Sequence, residues 1–300
     1  MASIRRAASL VSAKARDYAG LLMIGHSLFS LPFALAALLY ASGGRPGWRL
    51  LILTGLAFLG ARNAANALNR VVDRRLDAEN PRTAGRHIPS GRVSALEALA
   101  LAGAFFLLLC AAAWLISPLC FMLIPIPAAL MLLYSYTKRF TWLSHLVLGI
   151  TSAAAAAGGW IAYAGHLGLR GFLLVAANGA WVTGFDIIYQ GLDAEWDRAH
   201  GLHSVPADFG PLAAQALALL CHAGALGFLA AFGLAVRVSI LYWIGLAVIA
   251  QLMALQHILL QGRGKPSRAR ILFSSYSLNQ ILGPLFLVVS CADIYLGGPS

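Results

Sequence analysis

Charged side chains are scarce: Asp, Glu, Lys and Arg make up 11% of this 300-residue chain, whereas soluble domains carry about a quarter. A water-soluble fold of this length needs a charged surface that so few residues cannot supply, so that class is excluded. Cysteine is rarer still. Cys110, Cys120, Cys221 and Cys291 lie singly within or at the ends of apolar runs. With no CxxC pair and no Cys/His ligand spacing they read as small packing residues, not as a metal or redox motif. Acids are the scarcer charge, 11 against 22 Lys and Arg, and their placement turns out to matter most.

Apolar residues are what the chain has in excess, 60% of the whole. Runs such as Ala98–Ile116, Cys120–Tyr136 and Leu212–Val236 reach or approach the roughly 20 residues that cross a bilayer core as a helix. Ala/Leu-rich runs of that length satisfy their backbone internally as helices, not as barrel strands. The fold class expected is therefore an all-α integral membrane protein, one polytopic domain over residues 1–300. Nine spans are expected, at about 19–41, 50–70, 95–116, 119–137, 143–164, 171–191, 211–233, 238–260 and 271–296.

The net charge of +11 suggests a nucleic-acid partner at first sight, but the cations sit in short loops between apolar spans. The lipid bilayer is the partner such a pattern fits, and no nucleic acid is expected. With a basic cytosolic segment at 1–18, 17 of the 22 Lys and Arg fall on the cytosolic side and four on the other, a clear positive-inside bias. A multi-pass protein of the cell inner membrane is expected, with its active site towards the cytoplasm. A mitochondrial inner-membrane protein would look similar over the first residues.

Ten of the 11 acids, all but Asp293, also fall at or near the cytosolic side, which the positive-inside rule does not require. Most lie in two loops, 71–93 and 192–210, and each loop carries an Asp-x-x-x-Asp pair. In the first, steps of 4, 3, 4 and 4 put Arg62, Asn66, Asn69, Asp73 and Asp77 on one helical face. In the second, Asp186, Tyr189, Asp193 and Asp197 are spaced 3, 4 and 4. A polar stripe on a helix leaving the membrane must face protein or a wet cavity, because lipid penalises it. Carboxylates at i and i+4 repel unless a counterion joins them. Mg²⁺ suits that role, since it takes oxygen ligands and is commonly shared between carboxylates and substrate phosphates. Arg82, Arg86 and Lys138 are the nearest cations for the remaining phosphate oxygens. His26, His145, His222 and His257 show no ligand spacing and read as helix-packing or cavity residues. Tyr134, Tyr136 and Trp142 read as an interfacial aromatic belt.

Four elements, taken together and in this order, resemble the UbiA superfamily of intramembrane aromatic prenyltransferases. They are Asn69-x-x-x-Asp73-x-x-x-Asp77, Tyr136-Thr-Lys138-Arg139, Asp186-x-x-Tyr189-x-x-x-Asp193-x-x-x-Asp197, and the tail Ser204-x-Pro206-x-x-Phe209-Gly210. The resemblance covers essentially the whole chain. It implies a helical bundle around a central cavity. Asp73, Asp77, Asp193 and Asp197 would hold Mg²⁺ and a polyprenyl diphosphate with help from Asn69, Arg82 and Lys138, and Asp186 and Tyr189 would lie near the phosphates or the acceptor. Arg70 stands where the family often has Asp. Together with His26-Ser-Leu-Phe-Ser-Leu-Pro32 and Asp77-Ala-Glu-Asn-Pro81-Arg-Thr-Ala-Gly-Arg86, it resembles a bacterial subgroup that prenylates 4-hydroxybenzoate or a dihydroxynaphthoate. The expected activity is transfer of the prenyl chain to such an aromatic carboxylic acid, for ubiquinone or menaquinone synthesis. Haem or chlorophyll prenylation and small-ion transport are the alternatives.

Overall fold

The computed structural model describes residues 12, 14–22, 27–261 and 266–297, and contains no β-strand among them. Among the described residues the helices that correspond to the expected spans are α1 Ser27–Ala41, α2 Trp48–Val72, α3 Ala95–Ile116, α4 Pro118–Thr137, α5 Ser144–Ala164, α6 Gly168–Gln190, α7 Gly210–Val236, α8 Ile240–Leu260 and α9 Arg268–Leu296. Eight are long and apolar enough to cross a membrane and α1 is shorter; residues 23–26 of the first expected span lie outside the described residues. Large apolar side chains such as Leu107, Leu212 and Ile244 stand exposed on the outer faces, as lipid contact requires.

Local sequence explains the element ends. Ser94 caps α3 by accepting from the Glu97 amide at 3.1 Å, and Glu97 accepts from the Ser94 amide at 2.7 Å, a reciprocal capping box. Lys14 and Tyr18 also reach Glu97, at 2.8 and 2.9 Å, which ties the helical stretch 14–22 to the start of α3. Pro118 follows Ser117, whose side chain caps α4, and Gly165 ends α5 in the left-handed conformation at φ 71.

Helices in lipid gain little from hydrophobic association and pack where small residues let backbones approach. A Cβ added to Gly149 on α5 would lie 2.5 Å from the Gly179 carbonyl oxygen on α6, and one added to Gly60 on α2 would lie 2.6 Å from the Leu109 amide nitrogen on α3. Neighbour contacts run α1–α2–α4–α5–α6–α7–α8–α9 and back to α1, with α3 outside against α2. Inside this ring α1 also packs on α5 and divides the interior. One half is filled by Phe33, Trp181, Phe232, Tyr242 and Phe286, Phe33 stacking on Phe286 with ring centroids 4.5 Å apart. The other half, between α2, α4, α5 and α6, stays open as a cavity of about 230 Å³.

Candidate active site

All twelve residues expected at the site line that one cavity: Arg62, Asn66, Asn69, Asp73, Asp77, Arg82, Arg86, Lys138, Asp186, Tyr189, Asp193 and Asp197. The expected single helical face is corrected in one respect. Neither motif is a continuous helix. α2 ends at Asp73 and a separate short helix, Arg74–Glu79, carries Asp77. Likewise α6 ends at Gln190, and Ala194–Ala199 carries Asp197 after Asp193. The break falls at the first acid of each pair, Asp73 at φ −88, ψ 3 and Asp193 at φ −110, ψ 0. That is the sparsely populated bridge region, where active-site residues often sit. The turn itself survives, since the Asp77 and Asp197 amides donate to the Asp73 and Asp193 carbonyls, each at 2.8 Å. The spacing rule therefore finds the right neighbours although the helices are interrupted.

Asp73, Asp77, Asp193 and Asp197 are 3, 4, 6 and 3% exposed, so each needs a compensating partner. Asp73 meets Arg139 at 2.8 Å, Lys138 at 3.3 Å and the Asn69 amide at 3.1 Å. Asp77 meets Arg86 at 2.5 Å and Arg70 at 3.6 Å. Asp193 takes both Arg82 Nε, at 2.6 Å, and Arg82 Nη2, with the Asn80 amide at 3.2 Å. Asp197 differs: among the described residues no lysine or arginine pairs with it, and its buried Oδ2 accepts no hydrogen bond. Burial first, and then the negative charge of Asp193, raise its carboxyl to about 6.

Asn66 lines the cavity with its amide engaged, donating to the Leu22 carbonyl at 2.7 Å. Arg62 is the opposite case. Its buried Nε has no hydrogen-bond partner, and it shares the inner cavity wall with Tyr134. Tyr136, by contrast, is an exposed edge residue over which Arg139 stacks at 5.2 Å.

Four residues that touch this set were given no place in it by the sequence reading. Arg70, noted there only as a departure from the family's Asp, faces Asp77, and Arg139 lies beside the expected Lys138. Asn80 sits in the turn before Pro81-Arg82, where an Asn reads only as a turn former. His145 reads as packing, but its Nδ1 is 2.7 Å from Asp186 Oδ2. No local pattern marks it, because its partner is 41 residues away.

Among the described residues, no three His, Cys, Asp or Glu side chains gather closely enough for one metal ion. The donor chemistry nonetheless fits a hard divalent cation. Asp77 Oδ2 and Asp197 Oδ2 are buried oxygens without a hydrogen-bond donor, and they belong to the two motifs that face each other across the cavity mouth.

The model of the UbiA prenyltransferase family matches residues 30–278. The chain is 31% identical over 278 residues to a 4-hydroxybenzoate octaprenyltransferase of Paraburkholderia phytofirmans, an alignment covering 92% of this chain and 93% of that one. The fold matches the apo structure of a UbiA homologue from Aeropyrum pernix K1 with a TM-score of 0.81 and 34% identity, covering 89% of this chain and 98% of that one. A UbiA homologue from Archaeoglobus fulgidus, solved bound to DMAPP and Mg²⁺, shares the fold with a TM-score of 0.72 at 19% identity, over 93% of this chain and 99% of that one.

Proposed function

The chain belongs to the UbiA prenyltransferase family, and from that membership and the charges of the cavity we propose that it transfers a polyprenyl group from its diphosphate to an aromatic carboxylic acid, 4-hydroxybenzoate first. The observation that carries the acceptor is Arg62, a half-buried guanidinium at the cavity wall whose buried Nε has no hydrogen-bond partner. A carboxylate matches that planar donor in charge and geometry. The 4-hydroxybenzoate relative supports the same acceptor, and a dihydroxynaphthoate would offer Arg62 the same carboxylate. Haem and chlorophyll precursors, and ion transport, have no comparable observation in their favour.

At the mouth, Asp73, Asp77, Asp193 and Asp197 would hold Mg²⁺ with Asn69 beside them. When bound, the ion supplies Lewis-acid neutralisation of the departing diphosphate. Arg70, Arg82, Arg86, Lys138 and Arg139 already face these acids. They would turn to the phosphate oxygens, so that negative charge developing on the diphosphate meets donors already in place. Deeper in, Phe58, Leu148, Val182 and Phe185 line the same space and keep water from the allylic cation as it forms. The ring carbon ortho to the phenol then attacks. This reading places the enzyme in the cell inner membrane with its mouth towards the cytoplasm.

Purified protein supplied with a labelled polyprenyl diphosphate, Mg²⁺ and a panel of aromatic acids should prenylate 4-hydroxybenzoate or a dihydroxynaphthoate and leave the matching decarboxylated phenol almost untouched. Equal turnover of the phenol removes the carboxylate from the reading.

A further inference from the structure

We propose that Asp186 takes the ring proton released when the acceptor is prenylated, and that His145 is the positioning residue that orients Asp186 for it. The inference rests on the aromatic-acceptor reading above. Asp186 lines the cavity seven residues, about two helical turns or 10 Å, before Asp193, which places it behind the acids of the mouth. Asp73, Asp77 and Asp193 are paired with lysine or arginine; Asp186 is instead bonded to an imidazole. A carboxylate clamped by an arginine or a metal is a weakened proton acceptor. One that accepts a single bond from a neutral donor keeps a second oxygen for the reaction.

The geometry settles the imidazole's state. His145 Nε2 lies 3.1 Å from the Val205 backbone nitrogen, and an amide N–H can only donate. Nε2 must therefore present its lone pair, which leaves the proton on Nδ1, pointed at Asp186 Oδ2 2.7 Å away. Oδ2 is thereby engaged, and Oδ1 is the oxygen left for the cavity. The ring itself is 2% exposed and cannot reach a substrate, so it acts only through Asp186.

Three features hold the pair in place. Gly149, one turn after His145, lets α5 approach α6 beside Gly179 and Thr183, one turn before Asp186. Val205 opens the short helix Val205–Asp208, capped by Ser204. Arg198 braces that helix by donating to the Ala207 and Pro206 carbonyls at 2.8 and 3.3 Å, directly after Asp197. The tail of the second motif thus joins the diphosphate end of the cavity to the proposed base.

The step balances. The bond between the allylic carbon and the diphosphate oxygen breaks, and its electron pair leaves with the diphosphate. A ring π pair forms the new carbon–carbon bond. The ring C–H pair then returns to the ring, and the proton goes to Asp186 Oδ1 and on to water as the products leave.

A purely structural tie between α5 and α6 would place the same atoms together, so the test must read proton loss directly. Ring-deuterated 4-hydroxybenzoate is compared with the protio form in wild type, Asp186→Asn, His145→Leu and His145→Asn. Wild type should show no isotope effect, because proton loss follows carbon–carbon bond formation and is fast. Asp186→Asn should lose about 10²–10⁴-fold in kcat, the range for removing a general base. It should also gain a primary isotope effect while its KM for the diphosphate stays unchanged. His145→Leu should show a smaller fall with the same isotope effect. His145→Asn, whose amide N–H can replace Nδ1–H, should recover most of the loss. A kcat of Asp186→Asn equal to wild type, or a fall in both His145 variants without an isotope effect, overturns the proposal alone. Wild-type protein that prenylates no aromatic acid overturns both it and the acceptor reading.

Discussion

Arg82 and Asp193, 111 residues apart, meet fork to fork: Nε and Nη2 of the guanidinium donate to the two oxygens of the carboxylate. The pair joins the loop after the first motif to the first acid of the second, across the mouth of the cavity. On the proposed function, a diphosphate entering there would offer Arg82 a second fork-shaped acceptor and expose Asp193 to a cation. Binding would then exchange partners within a set that is already assembled.

That exchange predicts strong coupling. In the ligand-free protein, Arg82→Gln and Asp193→Asn should each lower Tm, because each leaves a half-buried or buried charge without its partner. The double variant should be markedly more stable than the sum of the two losses, with a coupling of about 0.5–3 kcal/mol, the range for residues in one ion-pair network. Additive losses in a double-mutant cycle of thermal unfolding would mean that the pair carries no weight.

Asp197 should behave in the opposite sense to Asp73. Its folded-state carboxyl, at about 6, stands above the ordinary value of 3.8, so the folded protein binds more protons in that window. Stability from this group is present below 3.8 and is lost as pH rises through 6. Asp197→Asn should therefore raise the Tm of the metal-free protein at pH 7, with a gain that shrinks as pH falls through that window. Asp73→Asn strands Lys138 and Arg139 and should lower Tm. Thermal melts of the three proteins from pH 4 to 8 decide it; a lower Tm for Asp197→Asn would contradict the unpaired state of its Oδ2.

Arg62 should govern one substrate only. Arg62→Gln should raise the KM for the aromatic acid at least tenfold, since a hydrogen bond to a charged group is worth about 1.5–3 kcal/mol. The KM for the diphosphate should not move. Steady-state kinetics with each substrate varied in turn gives the split, and a parallel rise in both constants would place Arg62 with the phosphates instead.

How far the sequence alone reaches is clear from these residues. Asp73, Asp77, Asp193 and Asp197 are legible because helical spacing and membrane cost both act locally. The interruptions at Asp73 and Asp193 are not, because the i to i+4 bond survives the break and the spacing looks unbroken. Arg70 and Arg139 carry the same charge as residues that serve only to orient the chain, so composition cannot separate them. His145 depends on contact with another helix and with a backbone amide 60 residues away, which no periodicity encodes. Eight of the nine expected spans are helices long and apolar enough to cross a membrane, legible because a run of apolar residues reports the bilayer directly.

Orientation has its own test. In a background freed of the four native cysteines, Ser90→Cys and Arg45→Cys, both exposed, should react with an impermeant thiol reagent from opposite faces, Ser90→Cys from the cytoplasmic side. Labelling of both from one face of inverted and right-side-out vesicles would overturn the positive-inside assignment.

The central claim, that the two acidic pairs hold one Mg²⁺–diphosphate between them, is tested most directly by prenyl transfer measured against Mg²⁺ concentration in wild type, Asp73→Asn, Asp193→Asn and Glu79→Gln. Each Asp variant should lose on the order of a hundredfold or more, the scale of removing a group that stabilises the leaving charge, and should need more Mg²⁺ for half its activity. Glu79, exposed and absent from the cavity wall, should cost little. Full activity in Asp193→Asn, or an equal loss in Glu79→Gln, would contradict it.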